Sequence, residues 1–225
     1  MYQVISFDLF MTLADLNARV PVMWERVMGR ALTNEDVARH AKGLRSCYLP
    51  YYHALCEPPF VSMRSVFRRG FAEYFQLSGM HADPDQAAEI FLEEHNASPL
   101  YEDALALLPR LEGRFRIVIS TDADCNMVKD LLPRIPHERA FVSEELGVYK
   151  ANRSGAFFRR VLAETGVRPA EILHVGDGRS DIIGAKCCGI DVYYVDRDRR
   201  GAPDTAEQPD YTAPDLFDLA ALLGV

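Results

Sequence analysis

Six polar side chains close or follow apolar runs in ways that could build one reactive centre. Asp8 ends the first half of VISFDLFMTLADL at positions 4 to 16, and Thr12 follows it by four residues. Ser120 ends RIVIS, Lys150 stands in GVYKANR, and Asp177 and Asp181 close ILHVGDGRSD. A carboxylate at a strand end, unhindered by small neighbours, can attack an electrophile and form a covalent intermediate that water later hydrolyses. Hydroxyls such as Thr12 and Ser120 can donate hydrogen bonds to the oxygens of an anionic group, while Lys150 supplies a cation against charge on nucleophile and transition state. Taken singly, either hydroxyl reads equally well as a strand-end cap or a turn residue. If Asp177 and Asp181 converge with Asp8, three carboxylates face one lysine. Like charges that close raise one another's pKa unless a cation intervenes.

Such convergence needs parallel strands. The runs Val4 to Phe7, Ile117 to Ser120, Ala140 to Val142, Ile172 to Val175 and Val192 to Val195 are apolar or β-branched without clean alternation, as strands covered on both faces should be. Ser154 to Glu164 carries apolar residues at helical spacing before Gly166 and Pro169 stop it. Repeated βαβ units of this kind predict an α/β fold with a doubly wound parallel sheet, whose ligands bind beyond the carboxyl ends of the strands. About a hundred residues separate the first strand from the second, far more than a loop holds. An inserted helical domain is expected there, with helices over Met23 to Leu32, Arg64 to Leu77 and Asp85 to Glu94. The prolines Pro50, Pro58 and Pro59, with Tyr48, Tyr51, Tyr52 and Phe60, mark a bend between helices, and the aromatics read as packing. Arg197 to Pro214 reads as a surface loop before a short terminal helix. The expected division is a core of residues 1–13 and 97–225 around an inserted domain of residues 14–96.

Composition narrows the partners. A chain of 225 residues with net charge −8 has no broad basic stripe to meet a phosphate backbone, which argues against nucleic acid. No apolar run reaches transmembrane length and no secretory leader is seen, so the expected setting is the cytoplasm, away from membranes. The five cysteines, Cys47, Cys56, Cys125, Cys187 and Cys188, form no CxxC pair or even framework, and the adjacent two read as buried thiols. The histidines lack zinc-ligand spacing, and His174, inside ILHV, is expected to pack or hydrogen-bond in the core. The expected partner is a small-molecule substrate, taken up by a monomer or a homodimer.

In this order and at these strand ends, Asp8 with Thr12, Ser120, Lys150, and Asp177 with Asp181 resemble the four motifs of the haloacid dehalogenase-like (HAD) hydrolase superfamily. The resemblance implies a Rossmann-like core with a mobile cap, here of the helical-cap branch. It makes Asp8 the nucleophile, gives Thr12, Ser120, Thr121 and Lys150 contacts to the substrate, and leaves Asp181 as an outer carboxylate or the partner that orients Lys150. It also implies a magnesium ion on Asp8, the main-chain carbonyl of Phe10 and Asp177, in keeping with that ion's preference for oxygen ligands and phosphate.

One position departs from the pattern. Family phosphatases read DxDxT in the first motif, and the second Asp protonates the leaving oxygen and then activates water; here that position is Phe10. General acid and base assistance, worth about 10²- to 10⁴-fold, is missing from its usual place. Met11 replaces the Gly or Asp often found next, and Ala151 the Pro that commonly follows the lysine. An aromatic at position 10 resembles the 2-haloacid dehalogenases of the superfamily, whose halide leaves without a proton. Arg45, in LRSCYLPYY, lies where those enzymes place an arginine for substrate or halide, although a solvated helix arginine explains it as well. Those dehalogenases work without metal and lack a carboxylate where Asp177 stands. The expectation is therefore a magnesium-dependent phosphatase of a small phosphorylated metabolite. The alternatives are a 2-haloacid dehalogenase and a phosphate-binding or regulatory protein that keeps the fold without turnover.

Overall fold

The computed structural model describes residues 1–55 and 57–225, so Cys56 lies outside the described residues. Its elements run in chain order as strand β1 (Val4–Phe7), helices α1 (Val20–Met28), α2 (Asn34–Ala54), α3 (Met63–Ser78), α4 (Pro84–Asn96) and α5 (Glu102–Leu111), then strands β2 (Arg116–Thr121) and β3 (Arg139–Val142). Helices α6 (Ser143–Leu146) and α7 (Ala156–Thr165), strand β4 (Ile172–Gly176), helix α8 (Arg179–Lys186), strands β5 (Asp191–Val195) and β6 (Tyr211–Ala213), and helix α9 (Phe217–Leu223) complete the chain.

All six strands are parallel and lie in the order β3-β2-β1-β4-β5-β6. This is the doubly wound arrangement expected from the sequence, with β1 at the point where the strand order reverses. Alternation along the strands sorts the side chains by face. Ile5, Phe7, Ile119 and Val175 enter one apolar cluster; Val4, Val118, Ile172 and Val192 enter the other with Phe157 and Phe158 of α7. Ser6 pairs in register with both Val118 and His174, so Ser6, Ser120 and His174 belong to the second face, near its carboxyl end.

The segment between β1 and β2 holds α1 to α4, which pack on one another. Thr33 caps α2 by accepting a hydrogen bond from Asp36 N at 3.1 Å. Trp24 and Phe71 fill the middle of this layer with edge-on rings 5.8 Å apart, and the apolar cluster continues unbroken from there to β1. Helix α1 starts earlier than the apolar spacing indicates, because Pro21 suits the first turn, and it ends at Gly29 with φ +63°. Pro50 does not bend the chain out of helix; α2 runs through it to Ala54. The stretch from Arg197 to Pro214 is not loop throughout, since β6 pairs Tyr211 to Ala213 with β5 at the sheet edge. Cys187 and Cys188 are not buried thiols: the first is exposed and the second half-buried, because they fall where α8 ends and the chain turns at Gly189. No described helix is long and apolar enough to cross a membrane.

Candidate active site

The segments after β1 and β4, with Lys150 from the stretch between α6 and α7, bring Asp8, Thr12, Lys150, Asp177 and Asp181 into one largely buried cluster, which Ser120 at the end of β2 joins through Ser6 and His174. Asp8 follows β1 directly, its amide donating to Val175 O of β4 at 2.8 Å, which fixes the carboxylate between the two strands. Lys150 Nζ lies 2.5 Å from Asp8 Oδ1 and 2.5 Å from Asp181 Oδ1. Its backbone is pinned as well: Lys150 N donates to Asp122 Oδ1 at 2.9 Å. Two glycines allow this closeness. A Cβ at Gly176 would stand 2.3 Å from Asp181 Cγ, and one at Gly184 would stand 2.2 Å from the Lys150 carbonyl oxygen.

Asp181 is fully engaged. Oδ1 takes Lys150 and His174 Nε2, the latter at 2.8 Å, and Oδ2 accepts from Gly178 N at 2.9 Å. Burial opposes the charge, yet Lys150 and His174 hold the carboxyl below the usual range. His174 does hydrogen-bond in the core as expected: its Nδ1 lies 3.0 Å from Ser6 Oγ, which lies 2.8 Å from Ser120 Oγ. Burial pushes this imidazole down. For Lys150 burial likewise opposes the charge, and the carboxylates of Asp181 and Asp8 overcome it and raise its pKa.

Asp177 lacks such partners. Thr12, completely buried, stands with its hydroxyl 3.2 Å from Asp8 Oδ2 and 3.3 Å from Asp177 Oδ1, and its one proton serves only one of them at a time. Burial, Asp8 and Asp181 raise Asp177 well above the carboxylate range, and burial pushes Asp8 up to about 7 despite Lys150. Carboxylate oxygens of Asp8, Asp177 and Asp181 lie within 4.8 Å of one another. Because Asp181 is already satisfied, Asp8 Oδ2 and Asp177 Oδ1 are the pair that could hold a hard cation. This all-oxygen, charge-rich and under-neutralised set fits magnesium.

The other singled-out residues fall as follows. Thr121, 1% exposed at the end of β2, has a hydroxyl without a hydrogen-bond partner among the described residues. Phe10 turns its ring edge-on to His95 of α4, with centroids 4.8 Å apart, and packs on the apolar cluster. Arg45 is exposed on α2 and forms no ion pair among the described residues; its charge and that of Asp177 both act on the Tyr48 hydroxyl. Two neighbours were missed. Tyr52, read from sequence as packing, donates from its hydroxyl to Asp122 Oδ2 at 2.5 Å, and Asp122 also receives Lys150 N. An acidic residue two places after Ser120 was the available signal for Asp122; nothing local marks Tyr52.

A family model for haloacid dehalogenase-like hydrolases matches residues 2–189, and the chain belongs to that family. Comparison with curated proteins finds no match. Similar solved structures include YfnB from Bacillus subtilis, assigned to the HAD hydrolases and bound to magnesium, at 20% identity and TM-score 0.83, covering 100% of this chain and 99% of that one. The L-2-haloacid dehalogenase of Xanthobacter autotrophicus with chloropropionic acid covalently bound gives 22% identity, TM-score 0.81 and coverage of 100% and 99%. L-2-haloacid dehalogenase RSc1362 gives 15%, 0.83, and 100% and 99%. At these identities the likeness is one of fold.

Proposed function

We propose that this HAD hydrolase is a magnesium-dependent phosphatase of a small phosphorylated metabolite, with residues 14–96 as its cap. The supporting observation is the unbalanced pair: Asp8 and Asp177 share one Thr12 hydroxyl, while the ammonium of Lys150 is committed to Asp8 and Asp181. In this reading Asp8 attacks phosphorus, the ester bond to the leaving oxygen breaks, and water then hydrolyses the aspartyl phosphate. Thr12, Ser120 and Thr121, whose hydroxyl has no partner among the described residues, donate hydrogen bonds to phosphoryl oxygens, and Lys150 offsets charge on Asp8 as it reacts. Asp8, the Phe10 carbonyl and Asp177 would hold magnesium, which would supply charge neutralisation in the site. Asp181 keeps Lys150 in place. Arg45 contacts the distal part of the substrate. Phe10 carries no proton to give, so the leaving oxygen takes its proton from solvent or from the substrate itself.

Phe10 also supports a second reading, a 2-haloacid dehalogenase, in which Asp8 displaces halide from carbon and no acid is needed. The shared fold with L-2-haloacid dehalogenases agrees with it. Phosphate release from a metabolite panel, run beside halide release from 2-chloropropionate with and without chelator, separates the two. Chelator-sensitive phosphate release, lost in Asp8→Asn, is the expected result. Chelator-insensitive halide release lost in both Asp8→Asn and Arg45→Ala would overturn the phosphatase, and ligand binding without turnover on either panel would leave a binding or regulatory protein.

A further inference from the structure

The loop that carries Thr12 is held from outside the four motifs. Arg197, two residues beyond β5, sends Nε to the carbonyl oxygen of Met11 at 3.1 Å and Nη2 to that of Thr12 at 2.6 Å. The same guanidinium meets Asp103 of α5 through Nη1–Oδ2 at 2.9 Å and Nη2–Oδ1 at 3.1 Å. Its Cζ lies 3.7 Å from the centre of the Tyr101 ring. Asp103 is fixed in turn, accepting from Ala104 N on Oδ1 and Leu216 N on Oδ2, both at 2.8 Å. A planar five-donor fork can serve two carbonyls and one carboxylate together; a lysine ammonium cannot.

The loop has reason to need this. Met11 has φ +63°, a left-handed conformation that residues with a Cβ rarely adopt. The turn is closed by Leu13 N and Ala14 N donating to Leu9 O and Met11 N to Ala14 O, which leaves the Met11 and Thr12 carbonyls for Arg197. Rotation of either peptide would swing the Thr12 hydroxyl away from Asp8 and Asp177.

We infer that Arg197, seated on Asp103 and Tyr101, is a positioning residue that holds the 11–12 peptides in the left-handed turn and so aims the Thr12 hydroxyl and the Phe10 carbonyl into the site. The inference rests on the roles given to Asp8 and Thr12 above. Arg197→Lys keeps the charge and one contact to Asp103 but loses the bridge. Misplacement of reacting groups by about 1 Å costs up to about 10²-fold, so kcat is expected to fall about 10- to 100-fold with KM within about threefold of wild type. Guanidinium chloride at low millimolar concentration should restore part of kcat to Arg197→Ala. Val161→Ala, a cavity in the opposite cluster, serves as a control of lowered melting temperature with kcat expected within about twofold.

Hydrogen exchange gives a readout independent of turnover: amides of residues 9–14 should exchange faster in Arg197→Lys than in wild type, with α7 unchanged. An Arg197→Lys protein with wild-type kcat and wild-type exchange at residues 9–14 would overturn the inference. So would a loss of kcat that merely follows melting temperature, as measured against Val161→Ala. If wild type releases neither phosphate nor halide, the proposed function fails, while faster exchange at residues 9–14 alone would still support the clamp and unchanged exchange would remove it.

Discussion

Replacing Asp177 by Asn should stabilise the metal-free protein and abolish its response to magnesium. With carboxylate oxygens within 4.8 Å, one repulsive pair is worth about 3.5 kcal/mol at an effective dielectric constant near 20. Asp177 faces two such partners, Asp8 and Asp181, and one attractive one, Lys150, so about one pair remains uncompensated. The residue is half-buried, and solvent screening reduces the gain to about 2 kcal/mol. The sign follows from the raised pKa. A carboxyl whose folded value lies above its unfolded value loses stability as pH climbs from the unfolded value, near 4, to the folded one. At pH 8 the wild type bears that penalty and the Asn variant does not. For a chain of this length about 2 kcal/mol corresponds to about 4–8 °C in melting temperature. Thermal melts at pH 8 in chelator should therefore place Asp177→Asn above wild type. Magnesium at about a hundred times Kd should then raise wild type by about 2.7 kcal/mol and leave the variant unmoved. A variant that melts at or below wild type in chelator, or that magnesium shifts equally, refutes the charge argument and the metal pair together.

Burial pushes His95 down to about 4, so stability is complete above about pH 6.5 and is lost as pH falls toward 4. His95→Gln should shrink the drop in melting temperature between pH 7 and pH 5, which in wild type owes about 2 kcal/mol to this group; an unchanged drop would contradict it. At Phe10, aryl and acyl phosphates should react faster than alkyl phosphates, because their leaving groups need less protonation. Phe10→Asp should raise the alkyl-to-aryl rate ratio on folded, magnesium-bound protein, at a cost of about 1–3 kcal/mol for the packing lost against His95; an unchanged ratio would mean that position 10 is not where the missing acid belongs.

The strand-end residues were legible because a short apolar run that stops at a polar residue carries both the strand and its exit in one local pattern. Asp8, Ser120 and Asp177 are found that way, and the order of the runs suffices for the parallel sheet. What escaped depends on contacts between distant segments. Tyr52 reaches Asp122 across 70 positions, and its neighbours in sequence, prolines and tyrosines, describe only local packing. Strand β6 spans three residues in a stretch rich in Asp and Pro, too short for any period to show, and exists because β5 offers an edge. Pro50 misled in the opposite direction: a proline near a helix end costs one hydrogen bond, and the packing of α2 on α3 outweighs it.

The line from Ser120 through Ser6 to His174 and Asp181 makes the direction of one hydroxyl depend on a proton held deep in the sheet. Asp181 can only accept, so His174 donates to it from Nε2. A neutral ring then accepts at Nδ1 from Ser6 and leaves Ser6 no proton for Ser120, whereas a ring protonated on both nitrogens donates to Ser6 and frees Ser6 to donate to Ser120, the direction of the 2.8 Å contact. With Ser6 as donor, the Ser120 proton is left to point outward, while Nε2 donates to Asp181 in either state. Burial favours the neutral ring, so an anion that takes a hydrogen bond from Ser120 shifts the balance toward the protonated ring as it binds. Ligand charge and imidazole charge would then rise together, and binding of the anion would take up a fraction of a proton from the buffer.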